Sequence, residues 1–220
     1  IIMKTFSGLG VSAGIGQAPA LLVEPAPGLP ARDPKGDTDD DVARVTAALS
    51  KVADRLDARA LEADPSAIGV LMATAMMARD PGLTSSVRTH LEEGDGPAHA
   101  LWGAIDDFCA QLTAAGGYLA ERVTDLHNVR DRALAVLQGL PEPGVPAFDS
   151  PVILVAEDLA PADTATLDPE LVRGLVTAAG GPTSHTAILA AQIGIPAVVR
   201  CPGIREVESG TELALDGVSG

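Results

Sequence analysis

The amino-acid sequence predicts an α/β domain built from both ends of the chain, with an all-α helical subdomain inserted between them. Short β-like runs lie at both ends of the chain, and helical patterns fill its middle. A segment rich in Pro and Gly, from Gly139 to Gly144, separates the helical patterns from the strands that follow. The predicted boundaries are 1–32 plus 141–220 for the α/β domain and 33–140 for the helical subdomain.

The helical subdomain is predicted from apolar residues that recur at alternating spacings of three and four. In the first helix, which follows an acidic start at residues 37–41, this stripe comprises Val42, Val45, Leu49, Val52 and Leu56. Further helical stretches are predicted over residues 67–79, 83–93 and 97–138. The pair Gly116-Gly117 is expected to kink or divide the last of them.

The α/β domain is predicted from short strands that alternate with short helices. The predicted strands cover residues 18–23, 152–155, 174–177, 197–200 and 212–215. Gly8, Gly10 and Ala13 match the loose dinucleotide-binding fingerprint, but a β-like run with Pro19 follows where that fold requires a helix. The two glycines are therefore assigned to a tight turn.

Composition restricts the classes of partner. The chain has 15 Lys and Arg against 30 Asp and Glu, which gives a net charge of −15. This excess argues against nucleic acid and anionic membranes, and it suits either a basic partner or solubility alone. Cys109 and Cys201 lie far apart in apolar contexts, which predicts two reduced, buried thiols in a cytoplasmic protein.

Residues 180–189, Gly-Gly-Pro-Thr-Ser-His-Thr-Ala-Ile-Leu, carry the most specific chemical pattern in the chain. They join a predicted strand, 171–177, to a predicted helix, 184–193, so that His185 lies in the first helical turn. Free backbone N–H groups and the helix dipole favour an anion there, and glycines let it come close. An imidazole at this position suits a histidine that carries a phosphoryl group. A plain helix-capping role for the neighbouring hydroxyls remains an alternative.

The motif closely resembles the phosphohistidine signature of enzyme I, the phosphoenolpyruvate–protein phosphotransferase of the bacterial sugar phosphotransferase system. It is less similar to the signature of pyruvate phosphate dikinase and phosphoenolpyruvate synthase, which usually carry Ala after the histidine. The resemblance extends to residues 8–15 and 152–159 and to the following Pro161 and Thr164. It implies an α/β phosphohistidine domain of the swivelling type, with an inserted helical subdomain that docks the phosphocarrier protein HPr.

The resemblance also implies roles for individual residues. His185 is expected to be the nucleophile and phosphoryl carrier, with Thr164 orienting its ring. The residues expected to bind phosphoryl oxygens, together with the helix N-terminus, are Gly181, Thr183, Ser184 and Thr186. The residues expected to contact HPr are Met76, Met77, Asp80 and Leu83. No residue is assigned as a metal ligand, and His90, His99 and His127 are assigned to solvated helix faces.

One position departs from the family pattern. The family usually has Arg six positions after the active histidine, where this chain has Ala191. A missing cation weakens charge stabilisation of the phosphoryl group. Either transfer is slower than in a typical member, or Arg200 or the partner supplies the charge.

The resemblance finally implies how the chain works within a larger enzyme. In enzyme I the histidine takes a phosphoryl group from phosphoenolpyruvate and passes it to HPr, the first step of sugar uptake. The family's barrel, which binds phosphoenolpyruvate and Mg²⁺ and forms the homodimer, is not among these 220 residues. We therefore expect a monomeric fragment, without a cofactor and without unaided turnover of phosphoenolpyruvate.

Two alternatives to this function remain. The first is the swivelling phosphohistidine domain of a dikinase or synthase, which the predicted helical insertion disfavours. The second is a non-catalytic partner-binding fragment whose histidine is silent because Ala191 replaces the usual Arg.

Overall fold

The computed structural model describes residues 4–62, 65–159 and 167–220, except for the side chains of Ser66, Ala67, Glu121 and His185. The chain divides into two compact units. The sheet unit comprises the chain up to Pro25 together with Gly144–Gly220, and the helical unit comprises Ala26–Pro143. The boundaries between the units therefore lie at residues 25/26 and 143/144, against 32/33 and 140/141 in the sequence-based prediction.

The helical unit has six helices within its described residues. They are α1 (Thr38–Glu62), α2 (Pro65–Ala78), α3 (Pro81–Glu93), α4 (Pro97–Ala115), α5 (Gly117–Glu121) and α6 (Val123–Gln138). Their apolar faces enclose one core, in which the predicted stripe of α1 is buried. In the parts of the chain that the structure describes, no helix has both the length and the apolar character needed to cross a membrane.

Glycines with positive φ end three of these helices, α3, α4 and α6. Gly94 follows α3 with φ 116°, and its N–H donates to carbonyl groups of the last turn. Gly116 follows α4 with φ 71° and donates to the Leu112 and Thr113 carbonyls. The division predicted at Gly116-Gly117 is thus confirmed, because α5 begins immediately afterwards.

The sheet unit is built on six strands among the described residues. They are β1 (Leu9–Ser12), β2 (Ile15–Leu22), β3 (Val152–Ala156), β4 (Val172–Thr177), β5 (Ala197–Val199) and β6 (Glu212–Asp216), in the spatial order β1-β5-β4-β3-β2-β6. The four central strands are parallel, and the two outer strands run antiparallel to their neighbours. Helix α7 (His185–Ile193) connects β4 to β5.

Strand β3 lies at the centre of this unit and is buried along its whole length. Ile153 and Val155 belong to the core on one face of the sheet, whereas Leu154 and Ala156 belong to the core on the other. Burial on both faces explains why β3 is a continuous apolar run rather than an alternating one. Since β3, β4 and β5 are parallel, the segments that follow them meet at one edge of the sheet.

Both cysteines are buried and free, as the sequence predicts. Cys109 lies in the core of the helical unit and Cys201 in that of the sheet unit. Burial raises the pKa of both thiols, and nearby Asp106 adds to this effect at Cys109.

Two hydrogen bonds close the base of the insertion. Within the sheet unit, the N–H of Gly144 donates to the carbonyl of Glu24 at 2.9 Å. Within the helical unit, the side-chain amide of Gln138 donates to the carbonyl of Gly28 at 3.0 Å. The inserted segment thus begins and ends at neighbouring points of each unit.

Candidate functional site

The candidate site is the glycine turn, residues 180–184, which leads from β4 into α7. Backbone hydrogen bonds fix its entry on both sides. The N–H of Ala179 donates to the carbonyl of Glu157, beyond β3, at 2.8 Å. The carbonyl of Ala179 accepts from the N–H of Arg200, beyond β5, at 3.3 Å. The turn is therefore anchored to the ends of both neighbouring strands.

Helix α7 begins at His185, and Ser184 is its N-cap residue. The Ser184 backbone is extended, and its Oγ accepts a hydrogen bond from the Ala187 N–H at 3.3 Å. Because Oγ is the acceptor in this bond, its own proton is left for another acceptor. The N–H of Thr186, one residue into the helix, has no acceptor among the described residues. His185 thus begins the helix at its positively polarised end.

Each glycine of the turn lies close to a polar side chain. Gly180 has φ 88°, and a Cβ there would lie 3.3 Å from the Ser184 Oγ. A Cβ on Gly181 would lie 3.2 Å from the Arg200 Nη2. The Ser184 hydroxyl and the Arg200 guanidinium therefore lie against the same two-residue segment of backbone.

Thr186 differs from its predicted role. It is fully buried, and its hydroxyl donates a hydrogen bond to Asp158 Oδ1 at 3.3 Å. A buried hydroxyl whose proton is already donated does not bind phosphoryl oxygens directly, so that prediction is wrong for its side chain. Thr186 instead joins the first turn of α7 to the segment after β3, and its backbone N–H remains a candidate donor.

The other predicted site residues are placed as follows. Gly181 and Ser184 are partly exposed, and Thr183 is exposed on the turn. Ala191 is exposed near the end of α7. Thr164 lies outside the described residues. The structure therefore brings Gly181 and Ser184 to the start of α7 beside the backbone of His185.

Sequence reasoning missed Asp158 and named Arg200 only as one possible source of charge. Both follow parallel strands, β3 and β5, on either side of β4. Ligands of such sheets bind beyond the carboxyl ends of the strands. Applied to the predicted strand ends, this rule would have placed Asp158 and Arg200 at the same edge of the sheet as the glycine turn, whereas their position on either side of it follows only from the strand order.

The predicted HPr-contacting residues fall into different environments. Met76 is 73% exposed on α2, whereas Met77 packs partly against the helical core. The exposed Asp80 is the N-cap of α3, and its Oδ1 accepts from the Gly82 N–H at 2.7 Å. Leu83 is fully buried, so the prediction that it contacts a partner is wrong. It occupies the first apolar position of a stripe that continues at Val87 and Leu91.

Two of the three histidines that were assigned to solvated helix faces have carboxylate partners. The ring of His90 contacts Asp95 and Asp107, and that of His99 contacts Asp33 at 3.0 Å between Nδ1 and Oδ2. His127 is half-buried. Among the described side chains, no group of three or more His, Cys, Asp or Glu residues is arranged to hold a metal ion.

Comparison with known proteins identifies the family. The family model described as "PEP-utilising enzyme, N-terminal" matches residues 7–122, and that described as "PEP-utilising enzyme, mobile domain" matches residues 148–220. Phosphoenolpyruvate-protein phosphotransferase of Streptomyces coelicolor is 46% identical over 222 residues, which cover 98% of this chain and 39% of that protein. The protein of that name from Staphylococcus carnosus is 35% identical over 227 residues, covering 99% and 39%.

A solved structure supports the same relationship. An NMR solution structure of Enzyme I matches with a TM-score of 0.73 and 28% identity, covering 98% of this chain and 91% of that one. This likeness confirms the predicted fold class. The chain spans about two fifths of the length of the curated relatives, which is 39% in both cases above. It belongs to the family of PEP-utilising enzymes and is homologous to the N-terminal region of phosphoenolpyruvate-protein phosphotransferases.

Proposed function

We propose that this chain carries a phosphoryl group on His185 and exchanges it with a histidine of the phosphocarrier HPr. It would do so as the N-terminal part of a cytoplasmic phosphoenolpyruvate–protein phosphotransferase, in the first step of sugar uptake. The observation that carries the proposal is the backbone position of His185, the first residue of α7 directly after the glycine turn.

The reaction needs one covalent step from the protein, the attack of the His185 ring on phosphorus. A ring nitrogen of neutral His185 attacks the phosphorus of phospho-HPr, forming a new N–P bond as the N–P bond to the HPr histidine breaks. The bonding electrons return to the leaving imidazole, which takes up a proton while the attacking ring releases one. Positioning and stabilisation of charge on the transferred oxygens are the protein's main contributions.

The glycine turn suits these contributions. The positively polarised start of α7, the N–H of Thr186 and the hydroxyl of Ser184 are donors for an anion carried at His185. Thr183 adds an exposed hydroxyl on the same turn. The proposed role of Thr164 in orienting the imidazole ring remains a prediction.

The helical unit is proposed as the docking platform for HPr. Met72 and Met76 are one helical turn apart on α2 and are 51% and 73% exposed, and exposed Asp80 follows at the same spacing. Apolar side chains beside an acid suit a partner that presents apolar and basic groups. Reaction with phosphoenolpyruvate, which needs Mg²⁺, and formation of the homodimer are assigned to a further region of the enzyme.

The test is incubation of the chain with phospho-HPr, followed by mass spectrometry of the intact protein. We expect one added phosphoryl group, labile in acid and stable in alkali, and its return to HPr when unphosphorylated HPr is added. His185→Ala should remain unlabelled. A wild-type chain that is not labelled, or a His185→Ala chain that is, would overturn the proposal.

A further inference from the structure

We infer that the Arg200 guanidinium binds the phosphoryl group carried at His185, an inference that rests on the function proposed above. Arg200 follows β5, whereas the glycine turn follows β4. Because β4 and β5 are parallel neighbours, the sheet brings the two segments together at one edge. The guanidinium reaches that turn from the side opposite Asp158, which follows β3.

Contacts on both glycines define the position of the guanidinium. Its Nε donates a hydrogen bond to the Gly180 carbonyl at 2.9 Å. Its Nη2 lies 3.2 Å from the place that a Cβ on Gly181 would occupy. The Ser184 Oγ lies 3.3 Å from the corresponding place on Gly180. A cation and a hydroxyl donor thus border the turn that leads directly to His185.

The donors of this guanidinium are mostly unused. A guanidinium has five N–H groups, and only Nε donates to a protein acceptor among the described residues. No Asp or Glu among the described residues forms an ion pair with Arg200, although most arginines of the helical unit have one. The two Nη groups therefore retain their donors for an anion, in the forked arrangement that suits phosphoryl oxygens.

The backbone of Arg200 adds a second observation. Among the residues that the structure describes, it is the only non-glycine residue with positive φ, at 50°. Side chains other than Asn and Asp rarely occupy this region, because Cβ comes too close to the carbonyl oxygen. Glycine adopts a positive φ without strain. An arginine at this position therefore indicates a requirement for its side chain.

A purely structural role explains less of this geometry. The bond from Nε to the Gly180 carbonyl stabilises the turn, but that bond alone requires neither a full positive charge nor four further donors. We therefore assign Arg200 to phosphoryl binding as well as to support of the turn.

Removal of the guanidinium is best tested with Arg200→Gly, which relieves the positive φ but also removes the bond to the Gly180 carbonyl. Phosphorylation of His185 is followed in single turnovers with phospho-HPr and, separately, with the small donor phosphoramidate. We expect Arg200→Gly to slow both reactions about tenfold or more, as loss of a charge-assisted hydrogen bond does. Arg200→Lys should recover part of the rate. Arg173→Gln, which removes an exposed cation at the opposite end of β4, should react like the wild type.

Gly181→Ala provides a second test that keeps the charge but displaces it. Its methyl group would lie 3.2 Å from Nη2, so the guanidinium would have to shift by a few tenths of an ångström. When Arg200 is present, Gly181→Ala should slow phosphorylation. In the Arg200→Gly background, the same substitution should have no further effect on the rate.

The outcomes separate this inference from the proposed function. A wild type labelled at His185 by both donors, with an Arg200→Gly variant that reacts at the same rate, overturns the role of Arg200 alone. The role of Arg200 is also contradicted if the double variant is slowed by the product of the two single-variant factors for Gly181→Ala and Arg200→Gly. A wild type that neither donor labels overturns the proposed function and this inference together.

Discussion

The imidazole of His90 lies 2.9 Å from the carboxylate of Asp107, between Nε2 and Oδ2, and so links α3 to α4. Its Nδ1 lies 3.3 Å from Asp95, just beyond the end of α3. A protonated ring donates to both carboxylates. The hydrogen bond to Asp107 raises the pKa of His90 above 6.5, against the opposing effect of burial.

This arrangement predicts a pH-dependent contribution to stability. Because the folded-state pKa is raised, the contribution is fully present below about 6.5, the unfolded value, and is lost as pH rises through the folded-state pKa. Urea unfolding of the wild type and of His90→Gln between pH 5.5 and 9, the range about that value, is the measurement. The difference in unfolding free energy should be largest at low pH. A difference that is constant, or that grows with pH, contradicts the prediction.

Truncation of Leu83 should lower stability, whereas truncation of Met76 should leave stability nearly unchanged. Leu83→Ala removes a fully buried side chain and should lower the free energy of unfolding by about 2–5 kcal/mol. Met76→Ala removes a side chain that is 73% exposed and should change stability by less than about 0.5 kcal/mol. Met76→Ala should instead weaken HPr binding, measured by calorimetry. Unchanged HPr affinity would remove Met76 from the proposed docking surface.

Asp80 has two separable contributions. Asp80→Ala removes the N-cap bond to Gly82 and should cost about 1 kcal/mol in unfolding free energy. Asp80→Asn keeps a capping oxygen and loses only the charge, so stability should stay close to that of the wild type. If the charge helps dock a basic partner, both variants should weaken HPr binding. Equal stability of the two variants would show that the cap bond contributes little.

The effect of an arginine at position 191 on the rate of phosphoryl transfer should depend on whether Arg200 is present. Ala191 is exposed on α7, so an arginine there can be accommodated without loss of packing. With Arg200 present, we expect Ala191→Arg to change the rate of phosphoryl transfer by less than about threefold. In Arg200→Gly, the same substitution should recover about tenfold of the lost rate, because it supplies a guanidinium in place of the one removed. Equal effects in both backgrounds would show that the two positions act independently.

Local signals in the sequence predicted the elements well. The glycines at 116 and 117 divide the long helical stretch, and Ser184 begins α7 as its cap. These features depend on residues close together in the chain, where propensity and periodicity act. The buried position of Leu83 was also readable, since it repeats at Val87 and Leu91 with helical spacing.

Contacts between distant residues were not predicted from the sequence. Asp33 meets His99 across 66 positions, and Arg200 meets Gly180 across 20. Such pairs depend on strand order and helix packing, which no local pattern encodes. At the candidate site, the sequence alone indicated the turn and the histidine, whereas the neighbouring ionic groups required the fold.

The closed base of the insertion has a consequence for the order of folding during synthesis. The helical unit is continuous, whereas β2 must wait for β3, which begins at residue 152. The bond between Gln138 and Gly28 brings the ends of the insertion together once the helices have formed. A completed helical unit thereby replaces a long flexible loop with a short bridge and lowers the entropy lost when β2 and β3 pair. During synthesis, the folded helical unit would therefore hold the later strands close to β1 and β2 as they emerge from the ribosome.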